Sequence, residues 1–149
     1  MLICVLGLLT ACVPVFPTRP MPAGFVEYRD GGFWLALVCG DGFTRIEVLQ
    51  SAPGAGGGLE PVWQAERNVR EVATEVQLLV NSMEGYEIMW LGEFEPASVQ
   101  IVRYSNADGL GGGIELMLAE LTEGRVAYYH GVVDRSEFER LPRADFGCS

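Results

Sequence analysis

Phe25-Val26-Glu27-Tyr28-Arg29-Asp30-Gly31-Gly32-Phe33-Trp34-Leu35-Ala36-Leu37-Val38-Cys39 is the stretch that decides the fold. Two runs rich in aromatic and aliphatic residues, 25–29 and 33–39, flank Asp-Gly-Gly, and glycine tolerates the positive φ that a tight hairpin turn demands. The stretch therefore predicts a β-hairpin. In its second run Phe33, Leu35 and Leu37 alternate with Trp34, Ala36 and Val38. Both faces are apolar, as in a strand central to a packed sheet. Cys39-Gly40-Asp41-Gly42 then turns the chain into 43–50, where Ile46 and Val48 alternate with Arg45 and Glu47. Together the three runs predict an antiparallel meander.

Toward the C-terminus the same grammar continues. Residues 53–58 read as a Gly-rich loop, and 61–66 carries Trp63 into a further strand. Between 67 and 80, Val69, Val72, Val76 and Leu79 fit a helical face, whereas Thr74, Val76, Leu78 and Val80 fit a strand. The strand reading is taken for the second half. Runs at 86–91, 98–104, 113–121 and 125–133 complete the series, with Thr122-Glu123-Gly124 turning between the last two. Ser136 and Glu139 have capping-box spacing, and Pro142 stops any helix they begin. Short strands without long intervening helices predict a mainly β fold, an antiparallel sandwich or barrel; the β-sandwich is taken, with immunoglobulin-like architecture as a guess. The cysteine and tryptophan hallmarks of immunoglobulins are absent, because Trp34 precedes Cys39 and Cys148 follows Phe146-Gly147 in a tail. Residues 25–149 have the size of one domain.

Upstream of that domain, Leu2 to Leu9 form an apolar run that ends in Leu9-Thr10-Ala11-Cys12. This resembles the lipobox of bacterial lipoprotein precursors, although no Lys or Arg precedes the run. The resemblance covers only the first dozen residues. It implies that 1–11 is a signal peptide, that Cys12 is lipidated, and that the mature protein is extracytoplasmic and held to the cell membrane by that lipid. The run is too short to span a bilayer, which takes about 20 apolar residues. Residues 12–24 contain Pro14, Pro17, Pro20 and Pro22. They satisfy P-x-x-P twice, but beside a lipidation site they read as an extended tether of about 3 Å per residue. If Cys4 leaves with the signal and Cys12 takes the lipid, Cys39 and Cys148 remain as an even pair in an oxidising compartment. A disulfide is their expected fate.

The 149 residues carry a formal charge of −10, and all ten basic residues are Arg. Such a surface disfavours nucleic acid and anionic lipid headgroups and favours cationic partners or divalent cations. Catalytic chemistry is sparse. His130 is the only histidine, within Tyr128-Tyr129-His130, where strand alternation puts Tyr128 and His130 on one face. It reads as a surface or hydrogen-bonded strand histidine, and no G-x-S-x-G elbow accompanies it. Glu93 and Glu95 flank Phe94; on a strand they share a face, either as paired carboxylates for glycosyl transfer or as a solvated edge. Gly109-Leu110-Gly111-Gly112-Gly113 fails as a dinucleotide motif because Ile114 stands where the last glycine belongs. Asn106, Asp108, Gly109 and Glu115 match positions three, five, six and twelve of a calcium loop, but Tyr104 occupies position one, where a carboxylate is required. A Gly-rich hairpin loop is the preferred reading there. Trp34, Trp63 and Trp90 fall on three strands, as a sugar-stacking platform or as buried anchors. The expectation is a module without catalytic residues or cofactor that binds a surface protein or ligand and no nucleic acid. A carbohydrate-binding module and a small hydrolase using acidic residues are the alternatives.

Overall fold

In the computed structural model, which describes residues 23–51, 57–68, 72–109 and 111–148, Asp30 and Gly31 adopt positive φ of 52° and 76°. This is the mirror-image turn that two-residue hairpins use because its twist matches that of the strands. It joins β1 (Gly24–Arg29) to β2 (Gly32–Leu37) in the register Arg29↔Gly32.

The expected meander stops there. β2 takes its second neighbour from β5 (Glu75–Gln77), and the next strand, β3 (Arg45–Ser51), lies in the opposite sheet. Between them Gly40 and Gly42 have φ of 114° and 117°, and a Cβ at Gly42 would meet the Ala73 carbonyl oxygen at 2.7 Å. A turn that continues a sheet and one that changes sheets carry the same Gly-Asp signal. Tertiary pairing decides between them.

The remaining strands are β4 (Leu59–Arg67), β6 (Tyr86–Trp90), β7 (Gln100–Ser105), β8 (Gly111–Leu116), β9 (Arg125–Tyr128) and β10 (Gly131–Asp134). Two antiparallel five-stranded sheets result, ordered β10-β9-β1-β2-β5 and β6-β4-β3-β7-β8. The fold is mainly β, a sandwich. β9 and β10 extend the first sheet beyond β1. Val26, Leu35, Val76 and Ala127 of one sheet meet Ile46, Val48, Trp63, Val102 and Ile114 of the other in the core.

Three boundaries depart from expectation. The run 113–121 ends as a strand at Leu116 and becomes a 3₁₀ turn, Leu118–Glu120. Leu118 and Leu121 are both buried there, so apolar character persists after the strand has ended. The run 125–133 is a hairpin, split at Tyr129-His130, with Gly131 at φ 125°. The capping box at Ser136 is not formed: the single-turn helix α1 (Arg135–Phe138) starts after Asp134, leaving Ser136 inside it. A second 3₁₀ turn, Arg143–Phe146, follows Pro142. Of 67–80, residues 69–71 lie outside the described part; the second half is a strand only over β5, after which Leu79 takes φ 59°.

The glycine run has a packing role. A Cβ at Gly112 would lie 2.6 Å from the Tyr104 hydroxyl and one at Gly111 2.3 Å from the Tyr104 carbonyl oxygen, while the Tyr104 hydroxyl accepts the Gly24 N–H at 2.7 Å. Tyr86 plays a similar part, donating to the Phe43 carbonyl (2.6 Å) and accepting from the Ala73 N–H (3.0 Å). Tyr86→Phe therefore removes a bridge between the crossover and the segment leading to β5. The expected loss is about 1–3 kcal/mol in denaturant titration, the cost of unpaired buried groups. Burial pushes both hydroxyls above the usual tyrosine range. With folded-state values raised, their contribution is complete below about pH 10 and is lost as pH rises through the folded-state values. Stability measured against pH should fall more gently in Tyr86→Phe than in the unsubstituted chain.

Candidate functional site

Gln50 and Gln100 face each other across β3 and β7 and point inward, where they are 6% and 0% exposed. Polar groups at such depth need partners. Gln100 donates to the Glu95 carbonyl (2.7 Å) and accepts the Leu118 N–H (2.9 Å). Gln50 donates to the Glu93 carbonyl (3.2 Å) and accepts the Glu95 N–H (2.8 Å). The two side chains thus fasten the loop after β6 to the end of the sandwich. Phe94 packs against the core, and Glu93 and Glu95 remain exposed on either side of it.

That loop borders a cleft of about 520 Å³ lined by Ser51, Glu60, Pro61, Leu91, Glu93 and Glu95, among others. Of the exposed apolar residues Leu91 lines it, and Leu59, Trp90 and Val99 adjoin lining residues in the chain, each of the four between 38% and 46% exposed. From Asn81 to Val99 the chain has four carboxylates, Glu84, Glu87, Glu93 and Glu95, and no Arg or Lys. An apolar border around an acidic cleft can hold a partner that is both apolar and basic.

β6 is the outermost strand on this side of its sheet. The bonds Leu91 N–H to Val62 O (2.9 Å) and Asn68 N–H to Gly85 O (3.1 Å) set its phase against β4. By antiparallel alternation Glu87 and Met89 bond to β4, and the backbone groups of Ile88 and Trp90 point to the open edge. No described strand pairs with that edge.

The residues singled out in the sequence are scattered. Trp63 is fully buried. Trp34 is half-buried on the outer face of the other sheet, with the Arg29 guanidinium 4.2 Å over its ring. Arg29 there bonds the buried carboxylate of Glu27 (3.1 Å), which Arg135 also contacts. Trp90 alone of the three is exposed, next in the chain to the cleft residue Leu91 and with its Nε1 donating to Asn81 at 3.1 Å, so the three rings form no shared platform. Glu93 and Glu95 sit in a loop and not on a strand. His130 is an exposed turn residue, which corrects its placement on a strand; its ring still meets that of Tyr128 edge-on at 5.8 Å and lies 4.1 Å from that of Tyr129. Among the described residues it makes no ion pair.

The calcium candidates do not converge. Asn106 accepts the Asp108 N–H at 3.0 Å within the hairpin loop. Glu115 lies opposite Ile101, four residues up β8 from Gly111, about 13 Å at strand rise. No group of three metal-ligating side chains occurs among the described residues. Cys39 and Cys148 are bonded, with Cα atoms 6.0 Å apart. The signal segment 1–11 and Cys12 lie outside the described residues, as does the tether through 22. Its last two assigned residues belong to the fold: Ala23 donates to the Phe146 carbonyl (2.9 Å) and Gly24 opens β1.

Gln50, Gln100 and the β6 edge were not singled out from sequence. The available signal was an amide in the inward phase of two predicted strands, which alternation alone assigns to no partner. No helix among the described residues is long and apolar enough to cross a membrane. Comparison with family models, with curated proteins and with solved structures finds no match for the chain in any of the three.

Proposed function

We propose that the chain is a bacterial lipoprotein, anchored outside the cytoplasm by lipid on Cys12, whose β domain is a non-catalytic module binding a protein or ligand at the cell surface. The observation that carries this reading is the cleft itself, where exposed Leu91 stands with the carboxylates of Glu60, Glu93 and Glu95, and where the exposed Leu59, Trp90 and Val99 adjoin lining residues in the chain. Exposed apolar surface rimmed by polar residues marks interaction sites, and a loop held by Gln50 and Gln100 presents Leu91, Glu93 and Glu95 without a large ordering cost. The Cys39–Cys148 bond suits an oxidising compartment. A chain of charge −10 selects a basic partner, whose affinity falls as salt rises.

A carbohydrate-binding module needs several exposed rings on one face, whereas the exposed rings of Trp90, on β6, and Tyr129, in the β9–β10 turn, belong to different sheets, and a hydrolase needs positioned acid and base groups. Incubating the full chain with glycosidic, ester and peptide substrates separates these readings. No turnover is expected; turnover abolished by Glu93→Gln, Glu95→Gln or His130→Ala contradicts the binding module. The anchor has its own test. Metabolic labelling with a radioactive fatty acid is expected to mark the protein and not Cys12→Ala, and equal labelling of both contradicts lipidation.

A further inference from the structure

We infer that β6 is a strand acceptor: an extended segment of a partner protein, alternating basic and apolar residues, adds to its free edge. The inference rests on the binding-module reading and names the mode and chemistry of the partner. Ile88 and Trp90 offer backbone donors and acceptors in the strand spacing that an incoming chain needs. Natural edges are commonly guarded by Pro, Lys or a bulge. Tyr-Glu-Ile-Met-Trp carries no Pro or Lys, and its pairing with β4 runs in unbroken register from Tyr86↔Arg67 to Trp90↔Trp63.

Side chains on both faces of the edge select the occupant. Ile88 and Trp90 share one face and Met89 the other, with Met89 and Trp90 44% and 43% exposed, so an added strand finds apolar contact above and below. Charge decides the rest. Glu87 lies directly opposite Glu66, a like-charge cross-strand pair that is destabilising as it stands. Neither carboxylate has an ion pair among the described residues, because Arg45, the next residue in that row, bonds instead to Glu47 (3.1 Å) and Gln64 (3.2 Å). An Arg or Lys placed beside Glu87 by an added strand relieves the repulsion. A second copy of this chain cannot supply one from its own β6, which contains no Arg or Lys.

The probe is an eight-residue acetylated and amidated peptide alternating Arg and Val, added to the full chain, with residue-resolved hydrogen exchange as the readout. Protection of the Ile88 and Trp90 amides is expected to rise by about tenfold or more, as for groups entering a ladder. An alternating Glu and Val peptide, and an Arg and Val peptide N-methylated on one edge, are expected to leave both unchanged. Glu66→Gln combined with Glu87→Gln should weaken binding by about fivefold. Ile88→Pro removes an edge donor without removing a bond to β4, and it should abolish the protection of Trp90 while Glu87 and Met89 stay protected. Should that variant fail to fold, Trp90→Lys provides the same block by guarding the edge. Equal protection by the acidic peptide, or no protection by the basic one, overturns strand addition. If the basic peptide perturbs the Glu93 and Glu95 amides but leaves Ile88 and Trp90 unprotected, strand addition is overturned and the binding-module reading stands.

Discussion

Trp63→Ala is expected to remove about 3–5 kcal/mol from a domain whose whole stability is about 5–15 kcal/mol. Trp63 is the largest fully buried side chain, in register with Val48 on one side and Trp90 on the other. Its Nε1 donates to the Val80 carbonyl at 2.9 Å, so truncation leaves both a cavity and an unpaired carbonyl. Trp63→Phe keeps most of the volume and forfeits the bond, for about 1–3 kcal/mol. Denaturant titration of both variants checks the order. A loss below about 1 kcal/mol for the alanine variant would mean that the core is not packed around this ring.

The second large effect concerns the disulfide. Cys39 follows β2 and Cys148 lies 109 residues later, so the bond closes nearly the whole domain. Reduction, or Cys148→Ser, is expected to cost about 2–5 kcal/mol. The C-terminal segment has other contacts to lose: Phe138 lies 4.8 Å from Phe25 and 5.3 Å from Phe146, and Tyr128 packs on Phe138 and Phe146. Native-state hydrogen exchange should therefore show residues 135–148 opening first once the bond is cut. Unchanged melting and unchanged exchange on reduction would contradict that clamping role.

How far the fold was legible follows from which interactions are local. The Asp30-Gly31 turn and the alternation of β1, β2, β3 and β7 are local, and those strands fall within a few residues of expectation. The β-sandwich class followed from them. The crossover at Gly40 and Gly42 was not legible, because the partner of β2 is β5, some forty residues away in sequence. The hairpin at Tyr129-His130 was missed because two aromatic-like residues gave no turn signal before Gly131. At the site, Glu93 and Glu95 were visible as a pair. Their placement depends on Gln50 and Gln100, whose partners are 45 and five residues away, and on sheet order, which leaves β6 at an edge. The three tryptophans show the same limit: alternation gave each an apolar face but not which face meets the second sheet.

The central claim, that this face of the domain receives a basic, strand-forming partner, is most directly tested by photocrosslinking in cells that make the protein, with benzoylphenylalanine at Met89 or, for comparison, at Glu115 on the opposite edge of the same sheet. The account predicts a discrete adduct from Met89 that the alternating Arg and Val peptide competes away, and none from Glu115. No adduct from Met89, or equal and uncompeted adducts from both positions, would contradict it.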